Sequence, residues 1–151
     1  MLLLSPFGAI PFTMLKGTDM VEGVEIARPF IKATLDILTT MAGLTASAGK
    51  PYVKKSNVAK GDVSAIVGVT GDKTGTIALS FSRACAIALV KGMLGDDIQD
   101  VLQDTQDAVG EVTNMVSGQA RAALAGMGLS LQGSTPSVIV GIEESGVLLA
   151  H

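Results

Sequence analysis

The sequence predicts a two-layer α+β domain, in which an antiparallel sheet packs against helices that include one long helix. Apolar residues recur at helical spacing over residues 24–42 and again over 101–125. Between them, over 63–81, apolar residues alternate with small or polar ones on both sides of a turn. Two β-like runs follow at 129–133 and 136–141. This order of helix, hairpin, two helices and strands is typical of a sheet with helices on one face.

The first half of the chain supplies a helix and a hairpin. The helix is predicted from Val24 to Ala42, with Gly43 as its stop. Residues 50–56 (KPYVKKS) predict a short strand with a basic rim. The alternating runs 63–70 and 77–81, joined by the turn sequence GDKTG, then predict two paired antiparallel strands.

The second half begins with an apolar helix, which Ser82 caps and Gly95 ends. The long third helix is predicted from about Val101 to Ala125. Five aspartates stand at its start, and their spacing matches no EF-hand loop. Carboxylates at a helix N-terminus ordinarily serve as caps and dipole partners, so we expect that role here. These residues are Asp96, Asp97, Asp100, Asp104 and Asp107.

The chain is predicted to form one domain over residues 20–151, preceded by an extension over residues 1–19. The extension is apolar but interrupted by two prolines and a glycine, and it is shorter than the ~20 residues of a membrane-spanning helix. It carries no positive charge before Lys16, unlike a secretory signal. We therefore interpret it as a mis-assigned start or a disordered extension ahead of the domain, with a poor signal peptide as the less favoured alternative.

Composition excludes several classes of function. With a net charge of −3 and 3% aromatic residues, the chain has neither the basic face nor the stacking platform that nucleic-acid binding requires. The single cysteine is Cys85, and the single histidine is the last residue, His151. A Cys/His zinc site or a histidine-based catalytic triad is therefore not expected. The chemistry must use carboxylates, amides, hydroxyls, lysines or arginines.

The third helix carries the candidate site. On a helical wheel, one side is predicted to face the sheet and the other to face solvent. The sheet side comprises Ala108, Val112, Met115, Val116, Gln119 and Ala123, and the solvent side Asp107, Glu111, Asn114, Gly118 and Arg121. Glu111 and Asn114 are three residues apart and thus neighbours. On residue chemistry alone, an ordinary solvated face explains this pair most simply, and Gly118 fits either close approach of a partner or packing against the second helix.

The segment DAVGEVTNMVSGQA (residues 107–120) resembles the signature of the CheC/CheX/FliY family of chemotaxis phosphatases. The hairpin GDVSAIVGVTGDKTGTIALSFS and the run TPSVIVG are similar to family segments in the same order, so the resemblance extends from about Val24 to Gly141. The chain has a single Glu-x-x-Asn signature, which indicates the single-site CheX type. Family members usually continue for two more strands, so the chain is expected to be short at its C-terminus.

The resemblance implies hydrolysis of the phospho-aspartate of a CheY-type response regulator, in chemotaxis or another two-component pathway. Asn114 would orient the attacking water, and Glu111 would pair with a lysine of the regulator. No cofactor of its own is implied, because Mg²⁺ would belong to the partner. The resemblance also implies a cytoplasmic homodimer, with no membrane or nucleic-acid partner. Two alternatives remain open: a non-catalytic module that binds a receiver or flagellar-switch partner, and a degenerate family member with neither activity.

Overall fold

The computed structural model describes residues 2–5, 8–15, 20–49 and 62–140, with side chains described over 25–49 and 62–140. These residues form three helices and an antiparallel sheet, so the predicted α+β class is confirmed. The elements in chain order are β1 (Leu2–Ser5), β2 (Gly8–Leu15), α1 (Met20–Ala42), β3 (Ser47–Ala48), β4 (Val63–Gly71), β5 (Gly75–Phe81), α2 (Arg83–Leu94), α3 (Val101–Gly126), β6 (Leu131–Gly133) and β7 (Ser137–Val140).

The hairpin of β4 and β5 lies at the centre of the sheet, as its alternating sequence predicts. Its register runs from Val63 opposite Phe81 to Val69 opposite Gly75. The other edge of β4 pairs with two short strands, β7 along its first half and β6 along its last residues. The other edge of β5 pairs with β2, which is followed by β1 and β3. The two β-like runs predicted after the long helix are thus confirmed as β6 and β7.

The core lies between one face of the sheet and the helices. Alternate residues of β4, including Ala65 and Val67, are fully buried in the same apolar cluster as Phe30 of α1, Leu89 of α2 and Val109 of α3. Successive strand residues point to opposite faces. Ser64, which precedes Ala65, therefore lies on the other face, where its hydroxyl oxygen is 2.7 Å from that of Ser80. The helices therefore cover the apolar face of the central hairpin.

The helix ends follow the chemistry that the sequence predicts. Helix α1 begins at Met20, four residues before the predicted start, and stops before Gly43, whose φ of 65° favours glycine. Ser82 caps α2, accepting a hydrogen bond from the Cys85 backbone N–H at 3.2 Å. Gly95, with φ 61°, follows its last residue. Cys85 is fully buried among apolar residues, as its surroundings in the sequence suggest.

Two of the five aspartates near the start of α3, Asp100 and Asp104, act as caps, as the sequence predicts. The Asp100 carboxylate accepts hydrogen bonds from the backbone N–H groups of Leu102 and Gln103, each at 3.1 Å. The Asp104 carboxylate accepts from the N–H groups of Gln99 and Asp100. Backbone donors that would otherwise be unsatisfied at this helix end are therefore bound by the helix's own side chains.

Two predictions concern residues 1–19 and 50–56. The strand predicted at 50–56 lies outside the described residues. Residues 2–5 and 8–15, predicted to belong to an extension, form β1 and β2, and β2 pairs with β5 from Phe12 opposite Leu79 to Leu15 opposite Thr76. The proposed domain start near Met20 stays a prediction.

Candidate functional site

The exposed face of α3 contains the predicted site residues. Asp107, Glu111 and Asn114 are exposed, and Gly118 and Arg121 are half-buried along the same side of the helix. Glu111 and Asn114 lie three residues apart, about 4.5 Å along the axis, so their side chains leave neighbouring turns. The structure thus brings together the carboxylate and the amide that the sequence singles out.

The opposite face of α3 differs in part from the wheel prediction. Ala108, Val112 and Val116 are buried as expected, but Gln119 and Ala123 are exposed. The reason is that α3 packs against α1 as well as against the sheet. The Gln119 side chain points toward α1 and not toward the sheet. Its amide nitrogen donates to a carboxylate oxygen of Asp36 in α1 at 3.4 Å. The buried stripe is completed by Thr105, Val109, Thr113, Ser117, Ala120 and Leu124.

The side chains of Glu111 and Asn114 make no hydrogen bond to other described residues. Their neighbour Asp107, by contrast, accepts a hydrogen bond from the Gln103 amide at 2.9 Å. A carboxylate offers only acceptors, whereas an amide offers both a donor and an acceptor. The pair is therefore able to bind a cationic group and, beside it, a water molecule.

The two glycines next to this pair have different surroundings. A Cβ placed on Gly118 would meet no described atom within 4 Å, those of α2 included, so the alternative that Gly118 packs against the second helix is wrong. A Cβ on Gly110 would lie 3.3 Å from Cγ2 of Val138 in β7. Gly118 leaves an open position beside Asn114, while Gly110 lets α3 approach the sheet.

Arg121 lies toward the C-terminal end of the exposed face of α3. Its Nε donates to the Ser117 hydroxyl at 3.2 Å, and the guanidinium lies over Gly133 of β6. The sequence places Arg121 on this face but gives no sign of these contacts, because Gly133 is twelve residues further along the chain and reaches Arg121 only through the pairing of β6 with β4.

A separate open groove of about 590 Å³ lies where α2 and α3 begin. Its lining includes exposed apolar side chains, among them Val101, Leu102 and Val140. Glu111 and Asn114 do not line it, so the groove is distinct from the candidate site.

Over residues 25–49 and 62–140, no group of three or more His, Cys, Asp or Glu side chains is placed to hold a metal ion. Of the helices that the structure describes, none is both long and apolar enough to cross a membrane.

Comparison with known proteins gives consistent results. The model of the family described as chemotaxis phosphatase CheX matches residues 63–145, which include all of α3. A Thermotoga maritima relative named CheY-P phosphatase CheX is 26% identical over 129 residues, covering 82% of this chain and 83% of the relative. The solved chemotaxis protein CheX of Desulfovibrio desulfuricans is 64% identical with a TM-score of 0.76, covering 84% of this chain and 83% of that chain.

A third likeness concerns the fold alone. The structure of a CheX–CheY–BeF3–Mg²⁺ complex from Borrelia burgdorferi matches with a TM-score of 0.61 at 22% identity. The match covers 84% of this chain and 80% of that chain.

Proposed function

The chain belongs to the chemotaxis phosphatase CheX family, and on that premise we propose that it hydrolyses the phospho-aspartate of a CheY-type response regulator. The observation that carries this proposal is the pair Glu111 and Asn114, exposed side by side on α3 and bound to no other described residue. A phosphatase that acts on a protein-bound phosphate needs such groups on a protruding surface, because the reacting bond lies in the partner.

Asn114 is proposed to be the catalytic residue that positions water. Its amide would enter the partner's site and hold a water molecule in line with the phosphorus–oxygen bond. The water oxygen attacks phosphorus, the bond to the aspartyl oxygen breaks, and the products are inorganic phosphate and the free carboxylate. An acyl phosphate is already reactive, so orienting the water supplies much of the needed acceleration. This role asks for no histidine or nucleophile from the chain.

Glu111 is proposed to hold the two proteins in register. Its carboxylate would pair with a lysine of the regulator's active site, one helical turn from the point where Asn114 enters. Such a pair fixes orientation more than it adds affinity. Any Mg²⁺ is proposed to be bound by the regulator, with no cofactor held by this chain.

The partner is proposed to be the phosphorylated receiver domain of a CheY-like protein. The Thermotoga maritima relative is named for CheY-P, and the Borrelia burgdorferi relative was solved with CheY, which supports this choice. A homodimer and a cytoplasmic location, both implied by the family resemblance, are part of the same proposal.

The test follows the decay of a phosphorylated receiver with and without the chain, together with binding of the receiver in its BeF3-activated form. Faster decay with wild-type protein supports the proposal. Binding without faster decay would identify the chain as a non-catalytic module, and the absence of both would contradict any receiver-directed role.

A further inference from the structure

Arg121 is held in an unusual position for a surface arginine. Its Nε donates to Ser117, whose side chain is buried, and its guanidinium carbon lies against Gly133. A Cβ at Gly133 would come 2.9 Å from Nε and 3.2 Å from Cζ, so the guanidinium occupies space that only a glycine leaves free. The hydrogen bond to Ser117 and the space left by Gly133 therefore direct the guanidinium toward β6.

Among the described residues, the guanidinium has no anionic partner. Its only hydrogen bond to a described residue is the one to Ser117, and it forms no ion pair with a described carboxylate. A half-buried guanidinium has lost part of its hydration, and its remaining N–H groups are arranged to match a carboxylate or a phosphate. Arg121 is thus a preorganised site for an anion.

The bound anion would lie close to Asn114. Because Nε bonds to Ser117, four residues earlier, the arginine side chain runs back toward the N-terminus of α3. Ser117 is three residues from Asn114, which is about 4.5 Å along the helix axis. Gly118, between Asn114 and Arg121 on the same side of the helix, has open space above it. A partner surface that receives Asn114 therefore also lies over Arg121.

We propose that Arg121 is a docking residue, which binds a carboxylate on the receiver domain beside the phospho-aspartate. This inference rests on the proposed phosphatase function. It gives the face two charged contacts of opposite sign: Glu111 at one end takes a cation, and Arg121 at the other takes an anion. Such a pattern accepts a partner in one direction along the helix and rejects the reversed one, in which like charges would meet.

The test measures kcat and KM for dephosphorylation of a CheY-type receiver at low and high NaCl. The variants are Arg121→Gln, Arg121→Lys and Gly133→Ala. Gly133→Ala keeps the charge of Arg121 but displaces its guanidinium. The matched control is Arg28→Gln, which removes the same charge from an exposed position on α1. Thermal unfolding of each variant separates loss of docking from loss of fold.

We expect Arg121→Gln to raise KM about fivefold, to leave kcat within about twofold, and to weaken the salt dependence of kcat/KM, as removal of an interfacial charge does. Gly133→Ala should raise KM in the same direction, Arg121→Lys should lie between, and Arg28→Gln should match wild type. An unchanged KM in Arg121→Gln would overturn the inference, as would a fall in kcat alone, which would mean contact with the phosphoryl group. Wild-type protein without phosphatase activity would instead refute the proposed function itself.

Discussion

Val138 of β7 lies directly against Gly110 of α3, the residue that precedes Glu111. A Cβ at Gly110 would come 3.3 Å from Val138 Cγ2, and β7 is itself registered to the central strand through Val138 opposite Ala65. This contact with the sheet, together with the packing of α3 against α1, sets the rotation of α3 about its axis. That rotation decides that Glu111 and Asn114 point away from the core.

Replacing Gly110 with valine is expected to destabilise the fold and weaken the site together. The added side chain must displace Val138 or rotate α3, and overpacking of this kind costs about 1–3 kcal/mol. Urea unfolding measures the cost. Gly126→Val, at a helical glycine whose Cβ would meet nothing within 4 Å, is the control. Equal stability of both variants would show that the contact with Val138 does not constrain α3.

Gly118→Ala is expected to stabilise the free protein and slow dephosphorylation. The new methyl group meets no described atom, so helix propensity alone predicts a gain of roughly 0.5–1 kcal/mol. On the docked face, however, the same methyl group would stand between the two backbones. Denaturant unfolding and the dephosphorylation rate, measured on one preparation, check both effects. A stabilised variant with unchanged kcat/KM would mean that no partner backbone approaches Gly118.

Gly92→Ala is expected to be strongly destabilising. A Cβ at this position in α2 would overlap the carbonyl oxygen of Ala42 at the end of α1, so one of the two helix backbones must shift. We expect a loss of about 2–3 kcal/mol in the free energy of unfolding. Gly118→Ala is the matched control, since both replace a helical glycine with alanine. A Gly92→Ala variant as stable as wild type would contradict the close approach of the two helices.

Asn114→Ala is expected to leave the free energy of unfolding within about 0.5 kcal/mol of wild type, because the side chain is exposed. Leu124→Ala, on the buried side of the same helix, should cost about 2–5 kcal/mol. Thermal or urea unfolding distinguishes them. A large loss in Asn114→Ala would show that the amide has a structural role.

The sequence predicts well those features that depend on neighbouring residues. The ends of α2 follow from Ser82 and Gly95, and the β4–β5 hairpin follows from strict alternation around one turn. Three-residue spacing makes Glu111 and Asn114 neighbours in any helix, and the apolar stripe on the other side predicts that their face is exposed, as it is in the structure.

Features that depend on tertiary packing cannot be predicted from the spacing of residues along the chain. The helical wheel predicts that Gln119 is buried, yet its side chain reaches Asp36 of α1, since α3 rests against a helix as well as a sheet. The anchoring of Arg121 depends on Gly133, which strand pairing alone brings beneath it. Apolar periodicity reports that a face is buried but not which element covers it.

The central claim is tested most directly by the rate at which a phosphorylated CheY-type receiver loses phosphate with wild type, Glu111→Ala, Asn114→Ala and Asp107→Asn side by side. Asp107 lies on the same face but outside the proposed pair, so its variant is the control. We predict that Asn114→Ala lowers kcat/KM about 100-fold through loss of the positioned water, Glu111→Ala about tenfold through loss of the lysine contact, and Asp107→Asn by less than about twofold. Wild-type rates in both Glu111→Ala and Asn114→Ala would contradict the account.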